Sequence, residues 1–300
     1  MPPLPIVALF GPTGVGKTAV ALAVADALRA DRPVAVSADA LQVYAGLEIL
    51  TGAATAAERA RLEHRLVGIV GVGETFSAGR YAALAHAEID ALVAAGRRPI
   101  VVGGTGLYLR AALGELELRP PPDPAIRARW SAALAQRGPD ALHAELLRRD
   151  PGSTIPATDG HRLVRALELL DAGHAPPARD GDSQLWASQT RHPTHLAALT
   201  MDRAALYAQI DARVDAMVAA GAAVEVRAAA AAGASATARK ALGFEQLLTG
   251  DVDGMKQATR RYARRQLTWL RKLPGVVQSI DVTGKAADAV AAEIVGALRS

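Results

Sequence analysis

The chain has no cysteine in 300 residues. That excludes a disulfide framework, a thiol nucleophile and a thiolate-bound zinc within this sequence, and it suits a reducing compartment. No basic stretch precedes the first apolar run, so that run is expected to be a core strand and not a secretion signal. The most apolar later stretch, Ala216 to Gly233, is mostly alanine and carries Glu225 and Arg227, so it does not read as a membrane span. Histidines are not spaced as a metal cluster, and no internal repeat is present. A soluble cytoplasmic protein is expected, with no membrane association. One further absence is local: no acidic residue occurs between Gly254 and Ile280.

What is present starts at residue 6. The apolar run Ile6-Val7-Ala8-Leu9-Phe10 leads into Gly11-Pro12-Thr13-Gly14-Val15-Gly16-Lys17-Thr18, and an alanine-rich helical pattern follows. Strand, glycine-rich turn and helix in that order fit the phosphate loop G-x-x-x-x-G-K-[ST]. Its glycines let backbone N–H groups curl around an anion, and the helix N-terminus adds unpaired donors. Lys17 supplies a mobile charge, and the Thr18 hydroxyl can ligate Mg²⁺. The chain is therefore expected to bind a di- or triphosphate. A motif of this kind is usually taken as nucleotide- or ATP-binding.

Pro33 to Ser37 reads as a second strand and places Asp39 just past its carboxyl end. In an open parallel sheet such positions face the same crevice as the phosphate loop. Residues 45–75 are less regular, with glycines marking turns. Ser77 caps a helix to Ala95 whose apolar stripe is Leu84, Ile89, Leu92 and Val93. The strand Ile100-Val101-Val102 then ends in Gly103-Gly104-Thr105-Gly106 and delivers Thr105 to the crevice. Alternating strands and helices predict an α/β fold, a P-loop NTPase-like doubly wound parallel sheet.

A proline run from Arg119 to Pro124 reads as a stiff hinge. Beyond it come helical stretches at 124–137, 139–149 and 159–173, then a Pro/Gly/Asp loop from Pro176 to Ser183. The expected domains are thus 1–118, the first part of the core; 119–195, an all-helical insert; and 196–300, the second part of the core. A return strand at 196–201 precedes a helix with the stripe Leu206, Ile210, Val214, Met217 and Val218. Spacing alone makes Arg213, beside that stripe, a solvated arginine. In the helix from Met255 to Leu273, Arg260, Arg261, Arg264, Arg265, Arg271 and Lys272 span roughly 140° at about 100° per residue. Tyr262, Ala263, Leu267, Trp269 and Leu270 lie opposite. One-signed charge without i,i+4 partners points to phosphates as the partner.

Two readings of this chemistry compete. A small-molecule kinase using ATP should show an acid-ended strand and a short arginine-bearing lid. Here the lid position holds the helical insert, and a leaving diphosphate could fill the loop in place of ATP. A non-catalytic RNA-binding ATPase is a third possibility. Several segments decide between them: Gly11 to Thr18, Ser37 to Tyr44, Val101 to Arg110, His161 to Glu168, Arg239 to Phe244 and Tyr262 to Arg271. Together and in order, over nearly the whole chain, they resemble the tRNA dimethylallyltransferases.

The resemblance implies transfer of a dimethylallyl group from dimethylallyl diphosphate to N6 of the adenosine next to the anticodon, with Mg²⁺ as cofactor. By the same likeness Asp39, Thr105 and Arg213 are catalytic: Asp39 orients and deprotonates N6, Thr105 contacts the reacting region and Arg213 assists the diphosphate. It also puts Asp39, Ala40, Leu41, Gln42, Thr105, Arg127, His161, Arg162, Leu163, Val164, Arg165, Lys240, Ala241, Leu242, Gly243, Phe244 and Glu245 at the tRNA anticodon stem-loop. The chain departs from the family pattern at Ala40, Ala53 and Gly68, where serine, lysine and aspartate are usual. A monomer is expected.

Overall fold

Short apolar runs bounded by glycine, proline or polar residues become strands in the computed structural model, which describes residues 4–116, 123–174 and 188–299. They are β1 (Ile6–Phe10), β2 (Val34–Ser37), β3 (Tyr44–Ala45), β4 (His64–Arg65), β5 (Val70–Gly71), β6 (Pro99–Gly103), β7 (Thr194–Thr200) and β8 (Val276–Asp281). Between them lie α1 (Lys17–Ala27), α2 (Glu48–Thr51), α3 (Ala56–Arg61), α4 (Ala78–Ala94) and α5 (Gly106–Leu113). Later helices are α6 (Pro124–Arg149), α7 (Gly160–Asp171), α8 (Arg203–Ala219), α9 (Ala222–Ala231), α10 (Phe244–Thr249), α11 (Val252–Leu270) and α12 (Ala287–Arg299).

Six strands form one sheet in the order β4-β2-β6-β1-β7-β8, with every pairing parallel. β1 lies inside the sheet and is buried along its whole length, as its unbroken apolar run requires. The chain moves outward from β1 to β2 and back to β6. Right-handed crossovers then put α1 and α4 on opposite faces. On one face Val7, Leu9, Ile100, Ala197 and Leu199 pack against Val20, Leu22 and Val24 of α1 and against Val290 and Ile294 of α12. The doubly wound parallel sheet is as expected.

Ser77 caps α4 by accepting from the Arg80 N–H at 3.2 Å. Its buried stripe is Tyr81, Ala82, Ala85, Ile89 and Leu92, whereas Leu84 is exposed. The small residues Ala82 and Ala85 let the helix approach the sheet closely, which rotates Leu84 outward. The irregular 45–75 stretch holds more structure than its glycines suggest. It supplies edge strand β4, the separate β3–β5 pair, α2, and α3 with a capping box between Thr55 and Glu58.

The chain divides into two units, 4–116 with 188–299, and 123–174 among the described residues. Residues 188–195, expected in the insert, belong to the sheet unit instead. There Arg191 pairs with Asp90 at 2.7 Å, His192 Nε2 meets Asp90 at 2.6 Å, and β7 already begins at Thr194. Most of the proline run and the whole Pro176–Ser183 loop lie outside the described residues.

Among its described residues the second unit consists of α6 and α7 joined by a turn region at 150–159, with no strand. Asp123 caps α6 through the N–H groups of Ala125 and Ile126, and Pro124 takes the first helical position. The helix breaks at Gly138 (φ 78°, ψ 169°), where the sequence already suggests two stretches. Trp130, Leu142, Leu146, Leu163, Val164 and Leu167 form its core. Glu168, only 2 % exposed, draws in Arg127, whose Nη2 donates to Oε2 at 2.8 Å, and Arg165 at 3.3 Å. Asp171, one turn later, gathers Arg129, Arg149 and the Trp130 indole N–H.

Glu168→Ala leaves the guanidinium groups of Arg127 and Arg165 facing a vacated buried position. We expect a loss of about 2 kcal/mol in local stability. Amide hydrogen exchange in α6 and α7 should accelerate correspondingly while β1 and β6 keep their protection. Unchanged exchange in α7 would mean that the two arginines reach water at no cost.

Candidate active site

Because all six strands run the same way, the turns after β1, β2 and β6 open on one edge of the sheet. β1 feeds the phosphate loop, in which Gly14 and Gly16 both adopt the left-handed conformation (φ 85° and 90°) and α1 starts at Lys17. β2 feeds Asp39, whose Oδ1 accepts the Leu41 N–H at 2.9 Å. That side-chain turn orients the carboxylate. β6 feeds Thr105, which precedes α5 without capping it; its hydroxyl lies 3.3 Å from the Tyr262 hydroxyl of α11.

A cavity of about 770 Å³ opens beside the phosphate loop. Thr13, Gly14, Gly16, Lys17 and Thr18 line one side, and Asp39, Leu41 and Gln42 another. Residues 48–56 form a third wall, held by Glu225 of α9, whose carboxylate accepts the N–H groups of Ile49 and Leu50 at 2.9 and 2.8 Å. Arg213 and Met217 of α8, Leu242, and Met255, Thr259, Tyr262 and Gln266 of α11 complete it. A chamber of about 50 Å³ adjoins Lys17, Thr18, Ser37, Asp39, Gln42 and His64.

The electrostatics centre on three groups. The Lys17 ammonium turns inward and donates to the carbonyls of Gly11 and Pro12, both at 2.9 Å. Burial lowers its pKa to about 8; the Asp39 carboxylate opposes that shift and the Arg213 guanidinium adds to it. Arg213, half-buried, has its pKa lowered by burial and raised by Asp39. Its Nη2 sits 3.5 Å from the Gly52 carbonyl, directly over a backbone with no Cβ. Spacing makes Arg213 a solvated arginine; packing of α8 against the 48–56 wall turns it into the cavity instead. Tyr262 stays a neutral hydroxyl, its pKa raised by burial and by Asp39.

Gly104 shows why the β6 turn needs glycine. A Cβ there would lie 2.3 Å from Gln266 Nε2 and 3.1 Å from the Gly11 carbonyl. The phosphate loop and the β6 turn touch only because this position is bare.

The other expected site residues separate into groups. Asp39, Leu41, Gln42 and Leu242 face the cavity. Ala40 is half-buried in the turn after Asp39. Ala241, Gly243 and Phe244 are buried, with Arg239 stacked over the Phe244 ring at 5.0 Å. Lys240 and Glu245 are exposed, and Glu245 pairs with Arg239. In the helical unit, His161 and Arg162 are exposed, whereas Leu163 and Val164 sit in the core. The side chains of Leu163 and Val164 hold α7 in place and do not offer a surface.

α11 departs from its sequence reading in two ways. Its cations are not all unpartnered: Arg260 pairs with Asp211 at 2.5 Å and Lys256 with Asp215 at 2.6 Å, both acids coming from α8. Its buried stripe is Met255, Thr259, Ala263 and Gln266. Tyr262 and Gln266 are the functional candidates that sequence reading missed. The available signal was a glutamine at the stripe's spacing, because a buried amide must find partners for both its ends.

Fold and site together define an enzyme of the phosphate-loop class whose cradle opens on a large cavity where Lys17, Asp39 and Arg213 meet. The model of the IPP transferase family matches residues 42–273, and the chain belongs to that family. The tRNA dimethylallyltransferase of Kineococcus radiotolerans is 41 % identical over 291 residues, covering 92 % of this chain and 90 % of that one. The protein of the same name from Anaeromyxobacter dehalogenans is 43 % identical, covering 91 % and 93 %. Among solved structures, the full-length tRNA isopentenylpyrophosphate transferase of Bacillus halodurans superposes with a TM-score of 0.69 at 30 % identity, covering 99 % and 97 %. A eukaryotic dimethylallyltransferase crystallised while acting on tRNA shares the fold, with a TM-score of 0.77 at 22 % identity.

A lysine with a pKa near 8 makes phosphate binding pH-dependent in a stated direction. The ammonium holds phosphate only while protonated, so pyrophosphate affinity should fall as pH rises through about 8. Lys17→Arg keeps its charge throughout. The wild-type-to-variant affinity ratio should therefore drop about tenfold per unit above that point, read by titration calorimetry. A ratio flat to pH 9.5 would mean that the Lys17 ammonium keeps its proton over that range or does not contact the ligand.

Proposed function

We propose that this protein transfers a dimethylallyl group from dimethylallyl diphosphate to N6 of the adenosine 3′-adjacent to the anticodon, tRNA position 37, releasing diphosphate. The observation that carries this reading is the placement of Asp39, Lys17 and Arg213 around one cavity at the phosphate loop, in a chain of the IPP transferase family. Nothing in the family match or the relatives points to an ATP-dependent small-molecule kinase.

An allylic diphosphate ionises readily, so the protein's task is to stabilise the departing diphosphate and present a nucleophile. The loop N–H groups, Lys17 and Arg213 take up the charge that develops as the C1–O bond breaks. The adenine N6 lone pair is delocalised and weakly nucleophilic. Asp39, held by its bond to the Leu41 N–H, accepts a hydrogen bond from the amino group and then its proton as the N6–C1 bond forms. Thr105, steadied by Tyr262, contacts the reacting region.

Mg²⁺ fits the donors present. Thr18 borders both the cavity and the small chamber beside Asp39, and no cluster of three or more His, Asp or Glu occurs among the described residues. Such a site suits a hard cation that keeps its waters and leans on phosphate oxygens. When bound at Thr18, the ion would neutralise charge on the leaving diphosphate.

The tRNA partner is the anticodon stem-loop. Its adenine must leave the stack to reach the cavity, at a cost of a few kcal/mol that binding to the RNA phosphates offsets. Arg261 and Arg264 on the exposed face of α11 suit that role, as do the exposed His161 and Arg162 in the helical unit. No helix among the described residues is long and apolar enough to cross a membrane. We propose a cytoplasmic monomer.

Incubation with labelled dimethylallyl diphosphate and tRNA, followed by nucleoside mass spectrometry, tests the activity directly. Phosphate transfer from ATP without tRNA labelling would overturn it. Asp39→Ala should keep pyrophosphate binding while turnover falls about 10²–10⁴-fold; near-normal turnover would remove Asp39 from the base role. Neutralising Arg261 and Arg264 should weaken tRNA binding and flatten its salt slope by about one unit for each phosphate no longer neutralised. An unaltered slope would return that face to plain solvation.

A further inference from the structure

One amide of the phosphate loop finds its partner far away in the sequence. The Thr13 N–H donates to Gln266 Oε1 at 2.8 Å, and Gln266 Nε2 donates to the Gly104 carbonyl at 2.8 Å. Gln266 is 4 % exposed, so its amide is bonded at both ends where water cannot substitute. A neutral side chain of this length that both accepts from one backbone group and donates to another is a primary amide. Its neighbour one turn earlier on α11, Tyr262, meets Thr105. One helix face thus ties the loop after β1 to the turn after β6.

Lys17 holds the same part of the loop, since its ammonium donates to the carbonyls of Gly11 and Pro12. An ammonium that turned to a phosphate would leave those carbonyls, whereas the Gln266 cross-link, beyond the last β1–β6 pair Phe10–Gly103, would stay in place. We propose that Gln266 is a positioning residue for the donor's diphosphate. It locks the phosphate loop against the Gly104 turn, so that the cradle and Thr105 keep their spacing while Lys17 swings from the loop to its ligand. The inference rests on the reading that this loop holds the diphosphate of the prenyl donor.

The test uses the full chain with Gln266→Leu and Gln266→Glu, and inorganic pyrophosphate as the probe. For Gln266→Leu, the pyrophosphate Kd and the donor KM should rise about ten- to hundredfold, the range expected for two buried bonds, with tRNA affinity unchanged. Gln266→Glu reads the geometry more sharply. Its ionised carboxylate still accepts from Thr13 but sets oxygen against the Gly104 carbonyl, so at pH 8 it should bind pyrophosphate as weakly as the leucine variant. Near pH 5.5 the protonated carboxyl donates again, and affinity relative to wild type at the same pH should recover. A residue that merely filled space would let Gln266→Leu bind pyrophosphate as the wild type does.

Wild-type pyrophosphate affinity in Gln266→Glu at pH 8 overturns the proposal. So does a loss that persists at pH 5.5, or an equal loss of tRNA binding. Should Gln266→Leu fail to fold, Gln266→Met, of similar length and without strong hydrogen-bonding groups, takes its place. If the wild-type protein binds pyrophosphate yet labels no tRNA, the transfer reading fails while the pyrophosphate comparison remains valid.

Discussion

Parallel strands impose one constraint on this molecule from which its site follows. Six strands pointing the same way bring every carboxyl end to a single edge, where the backbone must turn without a hairpin partner. The turns after β1, β2 and β6 therefore crowd together. Each delivers a different chemistry: backbone donors and an ammonium, a carboxylate, and a hydroxyl. Their closeness needs small residues, and Gly104 is where the crowding joins the phosphate loop to the β6 turn. A side chain there would displace the Gln266 amide and press on the Gly11 carbonyl of the phosphate loop.

The charges at that edge are balanced in a way that suits a ligand that arrives and leaves. Lys17 and Arg213 repel one another and share Asp39 as a counter-ion, and burial works against both cations. Without a ligand, the Lys17 ammonium rests on loop carbonyls, which are neutral acceptors and weaker partners than a phosphate. In the proposed reaction a diphosphate would replace those bonds with charge-assisted ones and leave Asp39 to face the base to be modified.

The helical unit solves a different problem. Around its apolar core two acids, Glu168 and Asp171, organise four arginines. The arrangement serves stability, and under the proposed function the same unit also presents basic side chains to RNA. Within α7 the segment His161 to Arg165 divides between these tasks: Leu163 and Val164 point inward, while His161 and Arg162 stay exposed.

The phosphate loop, the strand–helix alternation, the helical stretches beyond residue 123 and the positions of Asp39 after β2 and Thr105 after β6 were legible in the sequence. Each depends on local spacing: glycines that permit a turn, apolar runs of strand length, and polar residues just beyond them. Three features belong to the tertiary structure alone. Arg213 reads as solvated until α8 packs against the 48–56 wall. The acids that partner Arg260 and Lys256 sit on another helix, about fifty and forty residues away in the chain. Gln266 is one polar residue in a basic helix until folding brings the Thr13 N–H and the Gly104 carbonyl to its two ends, across separations of 253 and 162 residues. Periodicity decides which face of a helix is buried. Which backbone groups wait on the other side is decided only when the strands that carry them have paired.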